Sequence, residues 1–208
     1  MTESTAAAQL RALAITCSLK PSPAESSTEL LTRQLLDAMG EHGVDGEVVR
    51  AVDLDLRPGV ESDMGDGDEW PDLRAKLLAA DILVLATPTW MGQHSSVCQR
   101  VLERLDAELS DTDDAGHPRT YGKVACAAVV GNEDGAHHIS AVLFQALNEV
   151  GFTLPAGAVT YWNGEAMHTT DYRDLDETPE QTASTTKTLA ANAAHLARLL
   201  KGAAYPPA

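Results

Sequence analysis

The first of three loops that suit a ligand combines hydroxyl side chains with a single lysine. It follows a short apolar run and contains Ser18, Lys20, Ser26, Ser27 and Thr28. Hydroxyl groups and the free N–H groups at a helix N-terminus form a cradle that suits a phosphate. A plain Ser/Pro turn closed by a Ser27 helix cap is the alternative. Because Lys20 is the only cation in the loop, we favour the phosphate.

The second loop suits a planar ligand, since it places an aromatic residue beside a glycine. It follows the apolar run 82–86 and comprises Pro88, Thr89, Trp90, Met91, Gly92 and Gln93. A planar ligand needs a flat apolar surface and a backbone that can approach it closely. The alternative is that Trp90 packs only on its own loop.

The third loop is a turn that follows the apolar run 124–130. It contains Asn132, Glu133, Asp134 and Gly135. These residue types form turns in many proteins, so on its own this loop indicates little.

The elements that position these loops alternate between strands and helices. The predicted strands cover residues 13–17, 47–52, 82–86, 124–130 and 152–161. Apolar residues between and after them recur at helical spacing. One such stripe, on a helix that Ser95 or Ser96 would cap, comprises Val97, Val101, Leu105 and Leu109.

This alternation predicts βαβ units, and therefore an α/β fold with one parallel sheet and helices on both faces. With right-handed crossovers, the favoured topology is a flavodoxin-like three-layer sandwich of five strands in the order 2-1-3-4-5. Ligands bind such sheets beyond the carboxyl ends of the strands, where all three loops lie. We expect one domain over residues 1–208, with residues 1–10 flexible.

The charge of the chain argues against two classes of partner. The chain has 208 residues, of which 31 are acidic and 15 are basic, so its formal charge is −16. Nucleic acids and anionic membranes attract clustered lysine and arginine, so neither is expected as a partner. The N-terminus lacks the basic start and apolar run of a signal peptide, which favours a cytoplasmic location.

Metal and disulfide sites are not expected either. The cysteines are Cys17, Cys98 and Cys126, an odd number with no closely spaced pair. Two clusters of acids and histidines could be drawn as metal sites: Glu133, Asp134, His137 and His138, and Glu165, His168 and Asp171. Neither spacing matches a zinc motif, so we expect no metal.

The three loops together carry a resemblance over about residues 11–200 to the flavodoxin-like NAD(P)H-dependent FMN reductase family. That family has Gly-Ser-x-Arg and then a Gly-Asn-Thr-like triplet in its first loop. Here Cys17-Ser18-Leu19-Lys20 and Ser26-Ser27-Thr28 stand in those places. The resemblance implies that Ser18, Lys20, Ser27 and Thr28 hold the FMN phosphate. It also implies that residues 88–93 line the ribityl chain and flavin ring, and that residues 132–135 close over the ring's other edge.

The resemblance further implies a two-step reaction with NAD(P)H as co-substrate. The nicotinamide would pass a hydride to FMN, and the reduced flavin would reduce a flavin, quinone or similar small acceptor. Because the cofactor carries the chemistry, no catalytic side chain is expected. Glu133 and Asp134 would lower the flavin potential if they lie near the ring, but they are equally well explained as solvated turn acids. A homodimer or homotetramer is also implied.

Three alternatives remain open at this point. A flavodoxin-type electron carrier would use the same cofactor and act on a protein partner. A flavin-free binding module could use the same fold. A low-molecular-weight phosphatase would use Cys17 as nucleophile, but no arginine lies between Cys17 and Thr32 to grip the phosphoryl group.

The segment from Tyr161 to Glu177 is predicted to form a lid or substrate wall, or a dimer contact.

Overall fold

The computed structural model describes residues 9–165, 168–203 and 205–206. Residues 1–10 were expected to be flexible, and residues 1–8 of that segment lie outside the described residues. Within the described parts of the chain, no helix has the length and apolar character needed to cross a membrane.

Strands and helices alternate as predicted. The strands are β1 (Leu10–Thr16), β2 (Val44–Arg50), β3 (Ile82–Trp90), β4 (Gln93–His94), β5 (Val124–Gly131) and β6 (Val159–Asn163). The α-helices are α1 (Ser27–Gly40), α2 (Trp70–Ala79), α3 (Ser96–Leu105), α4 (Ala136–Glu149) and α5 (Glu180–Gly202).

The sheet confirms the predicted topology. Its order is β2-β1-β3-β5-β6, and all four pairings along this path are parallel. The two-residue strand β4 is an addition, paired antiparallel with the end of β3. Without β4, the order is the expected 2-1-3-4-5.

Helices cover both faces of the sheet. Apolar residues of α1 and α5 pack on one face, and those of α2, α3 and α4 pack on the other. The interior strand β5 is buried along its whole length. A parallel strand covered on both sides is continuously apolar, as the run 124–130 predicted.

Several predicted boundaries were wrong. Strand β1 begins at Leu10 rather than at 13, and β3 continues to Trp90 rather than ending at 86. Strand β2 begins at Val44 rather than at 47, directly after the turn at Gly43. Strand β6 covers Val159–Asn163, whereas Thr153 makes only an isolated bridge to Val124. Pro155 lacks an N–H and Gly157 has a positive φ of 67°, so the chain turns between these segments. The α3 stripe stops at Leu105, and Leu109 is exposed.

A buried ion pair organises the acidic loop before α2. The guanidinium of Arg104 donates to the Asp68 carboxylate at 2.8 Å, and both side chains are 0% exposed. Burial alone would raise the pKa of Asp68. Hydrogen bonds from the Met64 N–H, the Arg104 guanidinium and the N–H groups of Trp70 and Arg57 outweigh it and lower the pKa to about 2. The acidic loop therefore folds around the buried Asp68 carboxylate, which accepts hydrogen bonds from its backbone and from Arg104.

Candidate functional site

A cleft of about 360 Å³ lies at the carboxyl ends of β1, β3 and β5. We call it the edge cleft. Nine of the predicted binding residues line it: Ser18, Lys20, Ser26, Ser27, Thr28, Pro88, Thr89, Trp90 and Asn132. The structure therefore brings the first loop, the second loop and the start of the third to one site, as the topology predicts.

Ser26, rather than Ser27, caps α1. Its Oγ accepts a hydrogen bond from the Glu29 N–H at 3.2 Å and shares a hydrogen bond with the Ser18 hydroxyl at 3.0 Å. The Ser27 hydroxyl instead accepts from the Arg173 N–H at 3.3 Å. The first loop is thus folded around the helix N-terminus, where a helix dipole favours an anion.

Arg50 fixes the shape of the first loop, and sequence reasoning missed it. The side chain is buried and donates to the carbonyl oxygens of Lys20 at 3.2 Å and Ala24 at 2.8 Å. It also binds the Glu29 carboxylate at 3.0 Å. Desolvation would raise the pKa of Glu29, but hydrogen bonds from Arg50 and Arg33 lower it. No motif marks Arg50, because the contact depends on β2 ending beside the loop.

Thr89 places a buried hydroxyl without a partner at the wall of the edge cleft. The residue is 5% exposed and lines the edge cleft, and its Oγ1 has no hydrogen-bond partner. A buried hydroxyl without a partner costs free energy that a ligand can recover by hydrogen bonding to it. A Cβ on Gly131 would lie 2.6 Å from the Thr89 Cβ, so only glycine lets the Thr89 side chain pack this closely against the end of β5.

Aromatic side chains supply apolar surface in the edge cleft. Trp90 lines it and is 53% exposed, so its indole is available to a ligand. Trp162, at the end of β6, also lines it, and its ring packs against Tyr172 with centroids 5.5 Å apart. A planar ring system finds the flat apolar surface it requires here.

Six predicted residues lie outside the lining of the edge cleft: Met91, Gly92, Gln93, Glu133, Asp134 and Gly135. They join the second loop to the third. The Glu133 carboxylate accepts from the Met91 N–H at 2.8 Å, and a Cβ on Gly135 would lie 2.8 Å from the Gly92 Cα. The Asp134 carboxylate accepts from the Gly135 N–H at 2.7 Å. Glu133 thus bonds across to the second loop, and Asp134 bonds within its own turn.

Sequence reasoning did not assign eight further residues of the lining: Leu19, Glu25, Val130, Gly131, Trp162, Asp171, Tyr172 and Arg173. The last four belong to the segment predicted as a lid or wall. They do line the edge cleft, although Ala166 and Met167 of that segment lie outside the described residues.

A family model described as NADPH-dependent FMN reductase matches residues 10–166. The chain belongs to this family. Its cofactor is accordingly FMN, and the protein is a flavin oxidoreductase. The edge cleft fits that cofactor, because it combines the capped helix N-terminus, the unpartnered Thr89 hydroxyl and the exposed Trp90 indole.

Two curated relatives cover nearly the whole chain. One is the 8-demethyl-8-aminoriboflavin-5'-phosphate synthase of Streptomyces davaonensis, 32% identical over 94% of this chain and 80% of the relative. The other is a Mycobacterium bovis protein named divalent metal cation transporter MntH, 39% identical over 94% of this chain. This chain spans only 30% of the length of the M. bovis protein.

Solved structures agree with this family placement. RosB with bound 8-demethyl-8-formylriboflavin-5'-phosphate superposes with a TM-score of 0.85 at 32% identity, covering 94% of this chain and 82% of RosB. An NADH:FMN oxidoreductase (EmoB) in its apo form gives a TM-score of 0.63 at 18% identity, over 91% and 89% of the two chains. The second likeness supports the fold alone.

The environment of Cys17 argues against phosphatase chemistry. Burial, and then the contact with the Cys98 thiol, raises the pKa of Cys17 well above its ordinary value. A cysteine nucleophile needs the opposite, a lowered pKa in a partly exposed site.

Among the described residues, no group of three or more His, Cys, Asp and Glu side chains is arranged to hold a metal.

Proposed function

We propose that this protein uses bound FMN to take a hydride from NAD(P)H and to reduce a flavin, a quinone or a similar small acceptor. The observation that carries the proposal is the edge cleft, where the buried, unpartnered Thr89 hydroxyl and the exposed Trp90 indole meet the capped N-terminus of α1. Membership of a family described by its use of NADPH supports the choice of hydride donor.

The roles of the side chains follow from their chemistry. Lys20 and the hydroxyls of the first loop would hold the phosphate, while Thr89 donates a hydrogen bond to the bound flavin. Trp90 and Trp162 would border the ring system. The residues that join the second and third loops would frame the ring's other edge: Met91, Gly92, Gln93, Asn132, Glu133, Asp134 and Gly135.

The test is an anaerobic half-reaction followed by a panel of acceptors. The protein loaded with FMN is mixed with NADPH or NADH, and the flavin absorbance is followed. Bleaching by either nucleotide, reversed by a quinone or free flavin, is the expected result. A bound flavin that neither nucleotide bleaches would contradict the proposal and favour the electron-carrier alternative.

A second candidate is that a riboflavin phosphate is the substrate rather than a resident cofactor. The S. davaonensis relative is named for the synthesis of such a compound, and RosB holds one altered at the 8-position. Mass spectrometry of the flavin recovered after turnover distinguishes the two candidates. An unchanged mass supports the reductase, whereas a mass change that depends on the protein supports flavin modification.

We also propose that the protein is a cytoplasmic homodimer or homotetramer. The three cysteines are buried and free, which suits a reducing compartment. Leu19 and Met91 are large exposed apolar residues of the first and second loops, and a second copy of the chain would cover them. Light scattering at several protein concentrations tests the assembly, and cell fractionation tests the location. A monomer throughout would contradict the first part.

A further inference from the structure

The turn at residues 171–174 carries an arginine to the N-terminus of α1. Tyr172 anchors this turn, since it is 3% exposed and its hydroxyl donates to Gln34 Oε1 at 2.6 Å. The backbone N–H of Arg173 donates to the Ser27 hydroxyl at 3.3 Å. The turn is thus tied at two points to the helix that begins at the first loop.

The Arg173 side chain has only weak partners. Its guanidinium donates to the Glu25 carbonyl oxygen at 3.2 Å and to the Glu25 carboxylate at 3.4 Å. Asp171 and Asp174 lie 3.9 and 3.6 Å away. The Glu25 side chain is 85% exposed and that of Arg173 is 31% exposed. Such exposed ion pairs contribute little and exchange partners readily.

The charges in the edge cleft are balanced. Among the described residues that line it, Lys20 and Arg173 are the cations, and Glu25 and Asp171 are the acids. A phosphate monoester brings about −1.5 to −2 charges at neutral pH. It would therefore have to compete with Glu25 for the cation that Glu25 already contacts.

Arg173 is also the only guanidinium in the described lining. Arginine can grip two phosphate oxygens with two parallel hydrogen bonds, whereas lysine acts as a point charge. Arg50 is nearby, but its donors are taken by Glu29 and by the backbone of the first loop.

We propose that Arg173 determines selectivity for the 5'-phosphate of the flavin, and that Glu25 competes with that phosphate for the Arg173 guanidinium. This inference rests on the proposed placement of the phosphate at the first loop. It makes an unusual prediction, because removing an acidic side chain that touches the cleft should strengthen binding. Riboflavin lacks the phosphate and should be indifferent to both residues.

The experiment titrates FMN and riboflavin into the full chain and follows flavin fluorescence. Arg173→Gln is expected to weaken FMN binding about tenfold, because it removes a charge-assisted hydrogen bond to the phosphate. Glu25→Gln is expected to strengthen FMN binding about threefold, because it frees the guanidinium for the phosphate. Riboflavin affinity should change less than about twofold in each variant. Arg173→Lys should be intermediate, because it keeps the charge and loses the two-point grip.

Charge-matched controls separate a local contact from the general field. Lys76→Gln removes a cation on α2 whose side chain is 51% exposed and lies outside the edge cleft. Glu41→Gln removes an exposed acid directly after the C-terminus of α1. Neither control should alter the ratio of FMN to riboflavin affinity. In the Arg173→Gln background, the gain from Glu25→Gln should disappear.

Several outcomes would overturn the inference. Equal losses of FMN and riboflavin in Arg173→Gln would show that the residue only supports the turn. A gain from Glu25→Gln that survives without Arg173 would show that Glu25 acts through general charge. If Lys20→Gln abolishes phosphate selectivity while Arg173→Gln retains it, Arg173 is excluded and the proposed function stands. If the wild-type protein binds neither flavin, both proposals fail together.

Discussion

Breaking the buried Arg104–Asp68 pair should be among the most destabilising single changes in the chain. Arg104 also donates to the carbonyl oxygens of Arg57 at 3.0 Å and Glu61 at 2.8 Å, and its guanidinium lies 5.4 Å from the Trp70 ring centroid. Arg104→Gln would leave the Asp68 carboxylate without its countercharge in a site shielded from solvent.

The expected loss in unfolding free energy is about 3 kcal/mol, the lower end for a broken buried pair. The lower end applies because Asp68 keeps three backbone N–H donors, those of Arg57, Met64 and Trp70. Urea unfolding followed by circular dichroism should show a midpoint lower by about 1 M, since m is about 2–3 kcal/mol/M for a chain of this size.

The matched control breaks an exposed pair. Lys76 and Glu47 form an ion pair with side chains 51% and 53% exposed, so Lys76→Gln should cost less than about 1 kcal/mol. In a double-mutant cycle, Asp68→Asn added to Arg104→Gln should cost little further. If Arg104→Gln proved no more destabilising than Lys76→Gln, the reasoning from burial would be refuted.

Four other predictions concern the cleft and the same buried acid. Lys20→Gln should weaken FMN binding several-fold more than riboflavin binding in fluorescence titrations, and equal losses would contradict its contact with the phosphate. Trp90→Ala should lower flavin affinity several-fold, since an aromatic contact contributes about 1 kcal/mol to the binding free energy. If the variant has normal flavin affinity and a normal rate of flavin reduction, Trp90 packs only on its own loop. Thr89→Val should weaken flavin binding without lowering the urea midpoint, because the hydroxyl has no partner in the fold; a lower midpoint would argue against this. The pKa of Asp68 is about 2 in the folded protein, whereas its ordinary value is 3.8. The ionised Asp68 carboxylate therefore contributes its full stability above pH 3.8, and this contribution is lost as the pH falls through about 2. Between these pH values, the urea midpoint of the wild-type protein should fall more steeply than the urea midpoint of Asp68→Asn.

The layered fold was predictable because its signal is local. Continuous apolar runs mark β3 and β5, and helical stripes mark the segments between strands. Besides the start of β1 and the end of β3, the misplaced limits are those of the strands at the two edges of the sheet, β2 and β6. Their burial is partial and their sequences are less apolar, so turn residues rather than hydrophobicity set their limits.

The candidate site was predictable where it follows strand ends. Loops after β1, β3 and β5 must meet at one edge of a parallel sheet, and nine predicted residues do line the edge cleft there. Arg50 and Arg173 were missed for a different reason. Their contacts with the first loop join residues 26 to 148 positions apart, and no local pattern encodes such a pairing.

The 171–174 turn also has a consequence for how the ligand choice of this chain can be changed. The matched family region ends at residue 166, yet Asp171, Tyr172 and Arg173 complete the wall of the edge cleft. This wall belongs to an irregular segment between β6 and α5, outside the sheet pairings. Tyr172 belongs to the core and holds the turn in place, so substitutions at the more exposed Asp171 and Arg173 can alter ligand choice while the core stays intact.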